Sequence, residues 1–475
     1  LSTGERYDEW RKIREGRVEV AIGARSAIFA PFSKLGLIVM DEEHETSYKQ
    51  EETPKYHARD VAVRRARQHG AAVILGSATP SLESYHAARS GGGEYGEFAP
   101  ILLEMKQRPA GSRLPGVQIV DMREELKEGN RSMFSRALHQ GIAARLERGE
   151  QTVLLLNRRG YSTFVMCRTC GYVASCPNCD ISLTYHQKSN NLRCHYCGYA
   201  EVAPSVCPEC GSEHIRYFGT GTQRVEGELA KLFPGIRVIR MDVDTTSEKG
   251  AHEKLLQAFR EKKGDVLLGT QMVAKGLDFP DVTLVGVIAA DTALNFPDFR
   301  SAEKTFQLLT QVAGRAGRHQ LPGEVFIQSY MPEHYSIVHA SGHDYLSFVR
   351  EELKTRKTMH YPPYSRLILV TLSHEKLPLL LRMAENFAGD LRAKAQRQGW
   401  FGSLDRFVPA ALDILGPVAS PIPRIKNRYR IQCMVKYRGD LDAVGLVRET
   451  AAATLDQWRD AMLQISIDVD PQMLM

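Results

Sequence analysis

The sequence contains no G-x-x-x-x-G-K-[S/T] stretch, and the dipeptide Gly-Lys does not occur in it at all. It therefore lacks the usual loop whose amides and lysine cradle nucleotide phosphates. It lacks long apolar runs too: none approaches the ~18 residues that a membrane span requires. Charge of one sign is not in large excess, at +6 over 475 residues. That balance permits an acidic partner such as nucleic acid without demanding one. There is no heptad run, and no internal repeat beyond four cysteine pairs. Cysteine is nearly missing outside one stretch, since eight of the nine fall between Cys167 and Cys210. Such clustering, with nothing that argues for secretion, reads as metal binding rather than a disulfide framework.

What remains is an ordinary globular composition, 43% apolar and 25% charged, long enough for about three domains. The first residue is Leu1 and the pattern there is already in mid-flow, so a fragment is expected. "VEVAIGARSAIFAP" (Val18 to Pro31) alternates like a strand and ends in a loop. "LGLIVM" and "AAVILGSATPS" are short apolar runs that stop at polar turns, as buried parallel strands do where their carboxyl ends carry a site. "YHARDVAVRRARQHG" between them reads as a helix closed by Gly70. "SGGGEYGEF" reads as a linker. A second α/β unit follows, with strands in "QTVLLLNRRGY" and in Asp265 to Asp291, and "GEVFIQSY" as its last strand. The cysteine block interrupts it. From about Tyr345 the order strand, helix, strand, helix, strand suggests a small α+β domain.

The chemistry-bearing motifs come in a definite order. "DEEH", Asp41, Glu42, Glu43 and His44, ends an apolar strand. Asp41 there can hold Mg²⁺ through a water, and Glu42 can orient and deprotonate an attacking water. Alone, the four residues read as a solvated acidic loop; their position after a buried strand favours the site. "GSATPS" and "GTQMVAKGLDFP" follow, and then "TQVAGRAGR", whose two arginines three apart are expected on one helix face. Arginine at a domain interface can stabilise charge on a transferring phosphate.

That series is the series of a superfamily two helicase. With the cysteine block, "LSTGERYDEWRKIREG", "GARSAIFAP", "LLNRRGY" and "RSAEKTFQLLTQVAGRAGR", the whole chain resembles the PriA (primosomal protein N′) family of bacterial replication-restart helicases. Ala24 stands where that family usually has threonine. The resemblance implies two RecA-like lobes, the first incomplete, over residues 1–95 and 96–343, a zinc-binding insertion at 165–215, and a C-terminal α+β domain at 344–475. It implies ATP with Mg²⁺ in the cleft, with Gln311, Arg315 and Arg318 facing the nucleotide and Arg318 as arginine finger. Thr270, Lys275, Gly276 and Asp278 would couple the cleft to single-stranded DNA, Gly276 and Asp278 also lying toward the nucleotide. "ETSYKQEETPKYHARD" resembles an aromatic-rich loop beside the ATP site, in which Tyr48, Lys49, Tyr56, His57 and Arg59 could meet bases and phosphates. Arg25 belongs with these coupling residues. The phosphate loop lies upstream of "LS..ER" in that family, behind a DNA-binding region.

"CRTCG", "CPNCD", "CHYCG" and "CPECG" are four C-x-x-C knuckles, three of them followed by glycine. Eight thiolates fill two tetrahedral Zn²⁺ sites, which sets aside His186, His195 and His214 as ligands. The stretch between Cys179 and Cys194 reads as a hairpin of zinc-ribbon length, which pairs the middle knuckles. Zinc one is then held by Cys167, Cys170, Cys207 and Cys210, and zinc two by Cys176, Cys179, Cys194 and Cys197, as in the family's nested arrangement. Both sites are closed and structural. Cys433, alone in a strand, reads as a core residue.

"PRIKNRYR" places Arg424, Lys426, Arg428 and Arg430 around Tyr429, a pattern that suits DNA phosphates or a solvated strand end. The resemblance tips this toward DNA. It implies a cytoplasmic, nucleoid-associated 3′→5′ helicase acting on branched and single-stranded DNA at abandoned forks. Single-stranded DNA-binding protein, other primosome proteins and the replicative helicase would be its partners, with no membrane. A non-catalytic zinc-bearing DNA-binding scaffold, and a zinc-bearing helicase acting on RNA, remain as alternatives.

Overall fold

A computed structural model describes residues 2–91, 100–105, 107, 114–156, 164–187, 189–218, 221–242, 245–246, 250–270, 273, 279–316, 322–400 and 411–474. The expected linker "SGGGEYGEF" lies mostly outside them. Among the described residues no helix is long and apolar enough to cross a membrane.

The chain opens with the helix Thr3–Arg14, started by a Ser2/Glu5 capping box and burying none of its residues. Residues 18–24 form no strand, and Arg25–Phe29 is a 3-10 turn. The alternation there misleads because no neighbouring strand pairs with it: Val20 and Ile22 are 74% and 98% exposed. Leu37–Met40 and Ala72–Leu75 pair in parallel, joined through the helix Ala58–His69. Gly70 closes that helix in the left-handed conformation, φ 65°. One face of the pair packs Ile38, Met40, Val73 and Leu75 with the helix residues Ala58 and Ala62. The other leaves Leu37, Val39 and Ile74 half exposed or more.

The second unit is a six-stranded, all-parallel sheet. Its order across the sheet is Val238–Met241, Val266–Gly269, Gln151–Leu155, Val282–Val287, Glu324–Ser329 and Gly116–Asp121. The central strands are buried along their full length, as parallel strands covered on both faces must be. Arg136–Arg148 and Thr222–Leu232 cover one face; Ser301–Ala313, Tyr335–Ser341 and Tyr345–Thr358 cover the other. Gly116–Asp121 is a strand that the sequence reading missed. It lies outside Glu324–Ser329, so "GEVFIQSY" is last along the chain but not at the sheet's edge.

The cysteine module rises from this unit on the antiparallel pair Phe164–Cys167 and Ile215–Phe218. It carries a three-stranded sheet in which Thr184–His186 and Asn191–Arg193 form the expected hairpin. The last unit is a four-stranded antiparallel sheet ordered Leu412–Ile425, Arg428–Tyr437, Arg366–His374 and Gln464–Val469. Along Arg366–His374 the alternation is used on both sides. Ile368, Val370 and Leu372 pack under the helices Leu377–Arg397 and Ala443–Trp458, while Leu367 and Leu369 pack against the cysteine module. Cys433 is fully buried in the first of these cores, and burial pushes its thiol up to about 12.

Candidate functional site

The strand Leu37–Met40 delivers Asp41 to its carboxyl end, and the chain then turns through Glu42 at φ 47°. That left-handed turn separates the three neighbouring carboxylates. Asp41 stays exposed, its Oδ1 accepting from the Glu42 amide at 3.0 Å. The Glu42 side chain is 42% exposed. Glu43 goes inward and is 3% exposed. It accepts from the Ser81 amide at 2.6 Å and the Ser84 hydroxyl at 2.9 Å, with Arg59 3.9 Å away. Glu43, expected in the catalytic set, has its carboxylate engaged in holding the start of the helix Leu82–Arg89.

His44 links three motifs. Its Nδ1 is 2.7 Å from Ser77 Oγ of "GSATPS", and its Nε2 is 3.0 Å from Gln311 Nε2 of "TQVAGRAGR". With the Gln311 amide nitrogen as donor, His44 Nε2 accepts and Nδ1–H donates to Ser77. Gln311 is one of a stripe. On the buried helix Ser301–Ala313, Glu303, Gln307 and Gln311 recur every four residues and so share a face. Glu303 accepts from the Leu82 amide at 2.9 Å, and Gln307 donates to the Thr79 carbonyl at 3.3 Å. All three therefore bond the first unit. Three polar side chains at helical spacing inside an apolar helix were a signal that the sequence reading did not use.

Behind the stripe lies a buried charge cluster. Arg356 meets Glu303 at 2.5 Å and Glu352 at 2.8 Å, and Arg300 meets Glu83 at 3.0 Å. Burial opposes the charge on Glu83, but Arg300 and Arg356 outweigh it and hold that carboxyl below its ordinary range. Burial, with Glu83 nearby, pushes the Glu303 carboxyl up despite Arg356. Burial, then Arg59 and Lys49, pushes His57 well down, so its imidazole is neutral.

The other expected site residues fall in several places. Arg315 lies just beyond the helix, which ends at Ala313 with Gly314 at its cap. Arg318, Lys275, Gly276 and Asp278 lie outside the described residues. Thr270 follows the strand Val266–Gly269, and its carbonyl accepts from the Val273 amide at 3.1 Å. Tyr48 Oη donates to the Asp41 carbonyl at 2.7 Å. Tyr56 makes an edge contact with Phe29 at 5.1 Å, and the Arg25 guanidinium sits 5.9 Å from its ring centre. Four expected DNA contacts are engaged within the protein. Arg25 donates to the carbonyls of Ser47 at 3.0 Å and Lys49 at 2.5 Å. Arg59 donates to Ser84 at 2.9 Å. Lys49 is 4% exposed and paired with Asp468. Arg428 donates to the carbonyls of Ser373, at 2.9 Å, and Met462. These cations sit where carbonyls and carboxylates converge, which spacing in the sequence could not show. At the tip of the same hairpin Arg424 and Lys426 are exposed, Arg424 4.9 Å from the Tyr429 ring centre.

The cysteines form two groups of four, Cys167 with Cys170, Cys207 and Cys210, and Cys176 with Cys179, Cys194 and Cys197. Sulfur–sulfur distances of 3.7 Å (Cys167–Cys210), 3.6 Å (Cys170–Cys207) and 3.6 Å (Cys176–Cys197) are close to the ~3.8 Å edge of a tetrahedron with Zn–S bonds of about 2.3 Å. The residue after each knuckle is left-handed: Gly171, Gly198 and Gly211 at φ 84°, 84° and 71°, and Asp180 at 52°. A Cβ on Gly171 would stand 2.4 Å from the Tyr330 carbonyl oxygen, so there glycine also permits the module to dock. Instead of joining a sulfur set, His186 faces His195, with Nε2 atoms 3.2 Å apart. The donor sets fit two structural zinc ions. Elemental analysis of unstripped protein is therefore expected to give two zinc per chain, and strong chelation to unfold the module. One zinc or none would break the nested assignment.

Comparison with known proteins agrees. Residues 211–320 match the helicase conserved C-terminal domain, residues 176–201 the PriA DNA helicase Cys-rich region domain, and residues 357–472 the primosomal protein N C-terminal domain. Replication restart protein PriA of Bacillus subtilis is 57% identical over 475 residues, covering 100% of this chain and 56% of that protein. The protein of the same name from Synechocystis is 47% identical, over 99% of this chain and 55% of its own length. That of Treponema pallidum is 40% identical, over 99% of this chain and 67% of its own length. The chain thus spans little more than half the length of the first two. Sheet, interlobe stripe and cysteine module together define a helicase-fold protein with an inserted zinc module. Within that class, the chain belongs to the PriA family of replication restart proteins.

Proposed function

We propose that the chain is the motor and zinc-bearing part of an ATP-dependent 3′→5′ DNA helicase that restarts replication at stalled or abandoned forks by enabling the replicative helicase to be reloaded. The observation that carries this reading is His44, which joins the acidic quartet to Ser77 in one unit and Gln311 in the other within 3.0 Å. A contact of that kind lets the state of a nucleotide be felt across two lobes. Residues 1–95 act as part of lobe one, 96–343 as lobe two with its zinc insertion, and 344–475 as the DNA- and partner-binding domain. ATP with Mg²⁺, when bound, supplies the transferable phosphate; Asp41 holds the metal through a water and Glu42 the attacking water. Arg315 and Arg318 face the phosphates from lobe two. Exposed Arg424 and Lys426, rather than Arg428, meet DNA phosphates at the C-terminal hairpin. Single-stranded DNA-binding protein and other primosome proteins are partners, in the bacterial cytoplasm at the nucleoid.

These 475 residues include no phosphate-cradling loop. Asp41 and Glu42 can place metal and water only against a phosphate already held. This stretch alone is therefore expected to release phosphate from ATP at background rate, with or without DNA. A family-length protein carrying the loop is expected to show DNA-stimulated turnover and to displace a strand from forked DNA but not from forked RNA. Equal phosphate release by the two would mean that other residues build the phosphate site. No displacement by the family-length protein would favour a non-catalytic scaffold.

A further inference from the structure

The loop that follows the acidic quartet is fastened at its far end by the C-terminal domain. Lys49 Nζ lies 2.9 Å from Asp468 Oδ1 and donates to the Val469 carbonyl at 2.6 Å. Lys55 Nζ sits 3.1 Å from the other Asp468 oxygen. Lys49 and Asp468 are 4% and 3% exposed, so this is an ion pair shielded from solvent. The backbone around Lys49 is fixed as well. Arg25 binds the Ser47 and Lys49 carbonyls, and the Gln50 amide donates to the Tyr56 carbonyl at 2.8 Å. Tyr48, next to Lys49, holds the carbonyl of Asp41, the first residue of the quartet. A path of direct contacts and adjacent residues thus runs from Asp468 through Lys49 and Tyr48 to Asp41.

We propose that Asp468 is a positioning residue for the acidic quartet: through the buried Lys49–Asp468 pair, the final strand of the C-terminal domain sets the loop 45–50 and with it the orientation of Asp41 and Glu42. This rests on reading the quartet as the metal and water site of ATP hydrolysis. Removing one partner of a buried ion pair leaves the other charge uncompensated, and Lys49 then regains water only by leaving its place. A shift of the Lys49 backbone is passed to the carbonyl that Arg25 holds and to the adjoining Tyr48. The fastening also gives the C-terminal domain a mechanical route to the motor. Whatever displaces the strand Gln464–Val469 displaces the quartet, with no ligand shared between them.

The test has two arms. In this chain, residue-resolved amide exchange is compared among the wild type, Asp468→Asn, Asp468→Ala and Asp468→Glu, which keeps the charge. Asp468→Ala is expected to speed exchange at Glu45, Tyr48, Lys49 and Gln50 by about tenfold or more, as local opening does. Val370 and Cys433, inside the C-terminal sheet, keep wild-type protection, which shows that the domain is still folded. Asp468→Asn is milder, and Asp468→Glu stays closest to the wild type. In the family-length protein, Asp468→Ala is expected to lower kcat for ATP by about tenfold with KM little changed, because the phosphates are held elsewhere, and Asp468→Glu keeps most of kcat. Wild-type exchange across Glu45 to Gln50 in Asp468→Ala overturns the proposal. Faster loop exchange with kcat unchanged overturns the link to the quartet. If the wild-type family-length protein itself turns over no ATP, the helicase reading fails, while the exchange arm still decides whether Asp468 sets the loop.

Discussion

In the family-length protein, Glu42→Gln is expected to slow ATP turnover about 10²–10⁴-fold, the usual worth of a positioned general base, while ATP binding persists. The geometry narrows the choice of base. Glu43 is buried, with Arg59 3.9 Å away, and its carboxylate is taken up by accepting from the Ser81 amide and the Ser84 hydroxyl. Asp41 stands at the strand end, suited to metal. Glu42 is left, its side chain 42% exposed on a backbone bent to φ 47°. A non-glycine residue in that conformation costs roughly 1–3 kcal/mol, which the surrounding bonds offset. One of those is the Glu45 amide donating to the Glu42 carbonyl at 2.9 Å. Glutamine keeps the size and the turn and removes only the basic oxygen. Phosphate release measured beside binding of a fluorescent ATP analogue checks this. Turnover near wild type would mean that Glu42 is not the base.

The parts of the fold that could be read beforehand are those where burial imposes a period. Leu377–Arg397 shows it: Leu380, Met383, Ala384, Phe387, Ala388, Leu391 and Ala395 are its buried face. The strand Arg366–His374 and the cysteine knuckles were legible for the same reason, since one spacing admits one structure. Val18 to Ala24 alternates just as well and forms no strand, because a strand needs a partner and alternation does not supply one. Gly116–Asp121 was missed because it is short, half-buried and paired with a strand some two hundred residues on, Glu324 lying opposite Gly116. At the site, order along the chain brought "DEEH", "GSATPS" and "QVAGRAGR" into one reading. It could not say which of three adjacent acids turns inward, since that depends on one backbone angle at Glu42. Nor could it pair Lys49 with Asp468, because neither residue carries a local mark of the other. The charges that the sequence offered to DNA are largely consumed inside the protein: Lys49 pairs across units with Asp468, while Arg59, Arg25 and Arg428 bond partners within their own units. A mildly basic chain built from several domains uses part of its charge to hold them together.

Arg318→Ala, in the family-length protein, is expected to slow ATP hydrolysis by about a hundredfold or more, the least that arginine fingers contribute. The argument comes from the helix that leads to it. Glu303, Gln307 and Gln311 register Ser301–Ala313 against Leu82, Thr79 and His44, so the end of this helix is held beside the acidic quartet by three bonds. The chain leaves the helix at Gly314 and carries Arg315 just past that end, four residues beyond Gln311. Arg318 follows three residues later in the sequence. A guanidinium on this segment acts on charge that develops on the phosphate, so its loss falls on turnover rather than on DNA affinity. Binding of forked DNA without nucleotide, followed by fluorescence anisotropy, should therefore change less than about twofold, since no ground-state phosphate contact to DNA is removed. Phosphate release is the sensitive measurement. Loss of DNA affinity with turnover kept would make Arg318 a DNA contact. Wild-type values in both would make it a surface residue, and Arg315 would be the next candidate for the finger.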